Sequence, residues 1–289
     1  PESRALADFV LETRHLALVI VLDAEDNLSD PPSGKSQTDK DSTEPREDDV
    51  ALLKVLGERL YQDLEHKPVS ADHGHGGFSD WVYFQVGIPV LESAVWSPPV
   101  DGDKEKRKSK LIEWASESLI GGFVPWEPAP ESAFDDNRKR MIGGWAPLVR
   151  NNPSAIELPR ITERWMGFIE SLAEDFAQIQ LAEPPQIKSL GGGVFDVEVT
   201  IVNPSLLATV SKMGEATRRR IPVRAVLELP TGGELLSGNR LQAVPRLEGL
   251  GGHHKLRWMI RIPEGKTTIV RLMSRTAGEL VITIPSEDS

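Results

Sequence analysis

The apolar positions of the first 180 residues change period several times, and each change marks an element. "PESRALADFVLETR" (1–14) sets Leu6, Phe9, Val10 and Thr13 on one side of a helix. "LALVIVL" (16–22) is apolar throughout, which predicts a strand buried on both faces of a sheet. Residues 23–49 are polar, rich in Asp, Ser and Pro, and read as a loop. Helical spacing returns over 48–65 through Val50, Leu53, Leu56, Leu60 and Leu64, and "VGIPVLESAVW" gives a second buried strand from Ile88. Helix, strand, helix, strand in this order predicts an α/β layer fold. Residues 97–157 keep no period and read as irregular. Residues 159–179 form the clearest helix, with Pro159 in its first turn and Ile161, Trp165, Phe168, Ile169, Leu172 and Phe176 on one face.

Beyond "LAEPPQ" the period becomes two. In "VFDVEVTIV" Phe195, Val197, Val199 and Ile201 face one way, and Asp196, Glu198 and Thr200 the other. "PVRAVLEL", "LRWMIRI", "TTIVRLM" and "GELVITI" repeat the theme, with "NP", "PTGG", "GLGG" and "PEGK" between them. Short alternating strands separated by turn dipeptides predict an antiparallel β sandwich. The expected organisation is an α/β domain over 1–182 and an all-β domain over 183–289.

Composition narrows the functions. A length of 289 residues accommodates two domains, each able to bury a core. The formal net charge of −11 makes nucleic acid an unfavourable partner. Cysteine is absent, which excludes thiolate metal sites, thiol catalysis and disulfides. The run 16–22 is far too short to span a membrane. No signal peptide is visible. The chain opens directly into a helical pattern, so the expectation is either that the protein starts in a helix or that these residues begin in the middle of a larger fold.

Candidate chemistry gathers in "DHGHGGFSDWVYFQVGIPVLESAVW" (72–96). His73 and His75 lie two residues apart beside Asp72 and could share a metal. Zinc takes three or four protein ligands, no third follows at helical spacing, and a solvated glycine-rich loop is the plainer reading. Asp80 is either a functional carboxylate at a strand end or a cap for the turn "SDWVYFQVG", with Trp81 in the core. Glu92 is the one ionisable residue of an apolar strand. It reads equally as a general base or as a carboxylate solvated at a polar edge. His253 and His254 read as a surface hairpin tip. "RRR" (218–220) and "KEKRKSK" read as solvated charge runs.

These residues also carry a family likeness. "PESRALADFV", a buried strand, a polar loop, a helix and then "GGFSDWVYFQVGIPVLESAVW" resemble the second half of a zinc carboxypeptidase domain of the carboxypeptidase A-like metallopeptidases. Gly76, Gly77, Asp80, Trp81, Tyr83 and Gly87 match a Gly-Gly-x-x-Asp-Trp-x-Tyr-x-x-x-Gly pattern that precedes the strand of the catalytic glutamate. "GGFVPWEP", "GGWAPLVRNNP" and the β domain resemble a large bacterial branch of that family, so the likeness spans the chain. It implies a partial mixed sheet flanked by helices, secretion or a periplasmic location, and hydrolysis of a C-terminal peptide or amide bond. In the family, zinc is held by an H-x-x-E motif and a later histidine, a glutamate activates the metal-bound water, and an arginine holds the substrate carboxylate. The likeness implies a pocket lined by Asp72, His73, His75, Asp80 and Tyr83, with Asp23 where the third zinc ligand is expected. Glu92 is the one candidate base, two residues before Ala94. No H-x-x-E occurs in the chain. The expectation is therefore an inactive carboxypeptidase-like protein that binds no zinc by itself, with an N-terminal half as a potential partner. The alternative is a non-catalytic protein that binds a peptide, glycan or other small ligand, or docks a partner.

Overall fold

The computed structural model describes residues 2–23, 25–34, 44–62, 76–100, 104–118, 122–130, 140–150, 152–218, 220 and 223–285. It shows a mixed α/β arrangement followed by sandwich-like antiparallel sheets. Among the described residues, no helix is long and apolar enough to cross a membrane.

The first part contains α1 (Glu2–Glu12), β1 (Val19–Leu22), α2 (Glu47–Tyr61), α3 (Phe78–Asp80) and β2 (Val90–Ser93). The single turn α3 runs on into a wide π-helical turn, Trp81–Val86. Strands β1 and β2 lie side by side and parallel, Val21 opposite Glu92 and Leu22 opposite Ser93. β2 is buried along its whole length. β1 is not the fully covered strand that its composition predicts: Val19, Ile20 and Val21 are half-buried and Leu22 is exposed. Among the described residues its one strand partner is β2, so one of its edges has no strand against it. Helix α1 likewise buries only Val10, while Leu6 and Phe9 of its expected apolar side stay exposed.

Segment 97–157 is more regular than its sequence. It holds α4 (Lys104–Ser118) and a hairpin of β3 (Phe123–Pro128) with β4 (Met141–Trp145). Nearly all of α4 is polar, so no apolar stripe announces it. Ala115 is its fully buried residue, and Trp114 lies 6.0 Å from Trp96 between ring centroids. The run "KEKRKSK" is its first half. Helix α5 (Leu158–Asp175) turns Ile161, Trp165, Phe168 and Leu172 against Leu53, Leu56 and Leu60 of α2 and Leu91 of β2, with Ile169 on its exposed side.

The sandwich begins at β5 (Gln180–Leu181) and continues through β6 (Gln186–Gly191), β7 (Val194–Asn203), β8 (Val223–Glu228), β9 (Glu234–Ser237), β10 (Leu241–Val244), β11 (Gly252–Arg261), β12 (Thr267–Ser274) and β13 (Gly278–Pro285). One sheet runs β10-β8-β12-β13. The other runs β5-β7-β11-β9, with β6 also on β7. The inward set Phe195, Val197, Val199 and Ile201 meets Leu256, Trp258, Ile260, Val270 and Leu272 in one core. His253 and His254 belong to β11, opposite Val202 and Ile201, rather than to a hairpin tip.

A crossing segment, 204–220, joins the two parts. Its short helix α6 (Lys212–Thr217) sends Met213 into the apolar cluster of Val10, Val82, Val86 and Ile88. Gly87 ends the π turn at φ +76°, and a Cβ there would stand 2.5 Å from the Cα of Gly214. Two glycines thus let the backbones of the two parts touch. Ser211 fixes the contact, donating to the Gly87 carbonyl at 2.7 Å and accepting from the Gly214 amide at 2.9 Å.

Candidate functional site

In open sheets of this kind, ligands meet the carboxyl ends of parallel strands, and here the ends of β1 and β2 open into a cleft of about 340 Å³. Its walls come from the loop after β1, from α2, and from the turn that begins at Gly77. Asp23, Glu25, Glu44, Asp49, Asp80 and Glu92 line it, together with the rings of Phe78, Tyr83 and Phe84. No lysine, arginine or histidine is among its described lining residues.

Glu92 sits at the base. It is buried, and its Oε1 accepts from the Ser79 hydroxyl at 2.6 Å. That removes the reading of a carboxylate solvated at a polar edge. Its backbone is fixed as firmly as its side chain. Asn27 accepts from the Glu92 amide at 2.9 Å, donates from its own amide to the Glu92 carbonyl at 2.8 Å, and donates from its side chain to the Val90 carbonyl. One asparagine therefore bonds β2 as a neighbouring strand would. Asp23 follows directly on β1, where its amide bonds the Ser93 carbonyl at 3.2 Å.

Asp80 turns backward: its carboxylate accepts from the Gly76 amide at 2.7 Å and closes the turn before α3. It stands at the N-cap of the π-helical turn that follows but makes no side-chain cap bond there. Trp81 is half-buried and packs against Phe78, ring centroids 6.1 Å apart. Tyr83 lines the cleft, but its hydroxyl is engaged, donating to Asp49 at 2.7 Å and accepting from the Arg46 amide at 2.9 Å. Burial, reinforced by the Asp49 charge, holds its phenol well above the ordinary tyrosine range. Asp72, His73 and His75 lie outside the described residues.

Three residues central to this geometry carry no motif. Asp26 is fully buried behind β2 and accepts from the amides of Leu28 and Ser29 and the hydroxyls of Tyr61 and Ser93. Burial and the Asp26 charge together push the Tyr61 phenol upward. Asp49 accepts from the Lys212 amide at 2.8 Å and the Met213 amide at 3.0 Å, so it ties α2 to α6 of the crossing segment. Ser79 holds Glu92. Asp49 alone left a sequence signal: it stands on the apolar stripe of α2, four residues before Leu53, where an unpartnered carboxylate would be costly.

The histidines that could bind a metal, His73 and His75, lie outside the described residues. Asp23 and Glu25 offer carboxylates, but among the described residues no three His, Asp or Glu side chains converge as metal ligands.

In sequence, residues 180–285 match a family model described as a domain of unknown function (DUF8731). No curated protein matches the chain. Among solved structures, DesR, a beta-glucosidase from Streptomyces venezuelae in complex with D-glucose, is 12% identical at a TM-score of 0.19, covering 37% of this chain and 15% of that one. Beta-glucosidase 3B from Thermotoga neapolitana in complex with alpha-D-glucose is 12% identical at a TM-score of 0.22, covering 94% of this chain and 50% of that one. The chain spans half or less of the length of either. Likeness at this level carries no argument about function.

Proposed function

We propose that this chain carries the second half of a zinc-carboxypeptidase-like domain whose cleft binds a peptide without hydrolysing it, the occupant bearing a positive charge. The observation that carries the reading is the cleft at the ends of β1 and β2, with six carboxylates, three aromatic rings and no basic group among its described lining residues. Such a lining attracts a lysine or arginine side chain or a free amine by charge, and its rings add cation–π and apolar contact.

Three features favour binding over cutting. Hydrolysis by this family's chemistry needs a metal to polarise the carbonyl and a carboxylate placed to take the proton from water. By the resemblance, Ala94 and Val95 stand near the family's base position, and the third-ligand strand ends in Asp23, Glu25 and Asp26 with no histidine. Glu92, the early carboxylate, already holds the Ser79 hydroxyl, and Asp80 and Asp49 hold backbone amides. These groups are arranged to keep a negative cleft in shape.

The chain as given is expected to retain no stoichiometric zinc after dialysis and to leave a blocked dipeptide intact. Metal content by emission spectroscopy, with the dipeptide assay alongside, checks both. A full equivalent of zinc, with turnover abolished by Glu92→Gln, would restore the enzyme reading.

A further inference from the structure

We infer that a second site, on the seam between the two parts, binds a small oxyanion of the phosphate or carboxylate class through Arg14, Arg220 and Arg275. The cavity, about 260 Å³, lies where the end of α1, the π turn and the crossing segment meet the loop after β12. It shares no lining residue with the acidic cleft. Val10 and Val86 line it together with the three arginines and Gln85, and no aspartate or glutamate is among its described lining residues.

In a chain of net charge −11, a cavity lined by three arginines and by no described carboxylate is an exception that invites a counter-charge. The sequence pattern reads 218–220 as a solvated run, yet Arg220 is half-buried and donates to the Leu16 carbonyl. That bond fixes the side chain but neutralises nothing. Burial and the like charge of Arg275 both oppose its protonated form. Arginine keeps its proton in proteins, and an anion in the cavity would offset these costs. Arg14 and Arg275 are exposed at the rim and free to close on a ligand. A planar fork suits bidentate capture of either oxyanion.

The test is calorimetric titration of the full chain with inorganic phosphate and, in parallel, acetate, at constant ionic strength. Saturable binding of one anion per chain is expected, and the tighter of the two probes names the class. Arg14→Gln and Arg275→Gln should each weaken it about tenfold, the effect of losing one charge-assisted bond. Both positions are exposed, so both variants should fold, and Arg218→Gln, outside the cavity, should change nothing. Absence of saturable binding by either anion, or binding unchanged in both rim variants, overturns the inference.

Discussion

Gly87→Ala is expected to lower the stability of the chain by on the order of 4 kcal/mol, through two costs that add at one atom. The residue sits at φ +76°, where a side chain strains the backbone. Its new Cβ would also stand 2.5 Å from the Cα of Gly214 and 3.0 Å from that residue's amide nitrogen. Neither neighbour is a flexible side-chain end, so relief requires α6 to back away from the π turn. That movement would stretch the Ser211 bond to the Gly87 carbonyl, the two amide bonds to Asp49, and the seat of Met213. Set against a typical domain stability of about 5–15 kcal/mol, the variant should unfold at a much lower urea concentration. The crossing segment should become open to protease. An unchanged urea midpoint would mean that the two parts do not rest on each other at this contact.

Asp26→Ala should cost roughly 3–5 kcal/mol, again read from the urea midpoint. The substitution would remove the acceptor of five donors at once: the Leu28, Ser29 and Ala94 amides and the Tyr61 and Ser93 hydroxyls. Leu28, Tyr61, Ser93 and Ala94 are buried, so water replaces the lost acceptor poorly there. Asp26→Asn keeps one acceptor oxygen and should recover about half of the loss. The effect should reach the cleft, because the turn that Asp26 closes also carries Asn27, and Asn27 holds the backbone of Glu92. Equal stability of the alanine variant and the parent would remove Asp26 from this supporting role.

What the sequence disclosed about these elements depended on whether their partners were local. The alternation at 195–201 specifies an inward face by itself, because a strand's side chains alternate whatever lies opposite. The stripe from Ile161 to Leu172 does the same for α5. Two apolar strands each preceded by an amphipathic helix point to one layered sheet, and "LALVIVL" and "IPVLESAVW" do pair in it. The even burial predicted for the first strand was not found, because coverage depends on what stands at its far edge. Helix α4 was hidden by its own charge: lysines and glutamates are exposed along it, while Ala115 is buried and Leu111, Ile112 and Trp114 are half-buried. The β3–β4 hairpin was hidden by glycines, since Gly143 and Gly144 both take positive φ and break the alternation.

The cleft was half legible. Glu92 stood out as a charge in an apolar strand, and Asp80 and Tyr83 through the Asp-Trp pattern. Ser79 and Asn27 did not stand out, because they gain meaning only from contacts 13 and 65 residues away in the chain. Arg220 was read with its charged neighbours and shows its difference only through burial at a seam that no local pattern announces.

The most direct test of a binding cleft on this scaffold is calorimetric titration with two short peptides of equal length, one ending in lysine and one in glutamate, followed by mass spectrometry of the recovered peptides. The account predicts that the lysine peptide binds, that added salt weakens it, that Glu92→Gln weakens it roughly tenfold, and that it is recovered intact. Equal affinity for the two peptides, or recovery of the lysine peptide shortened by its last residue, would contradict it.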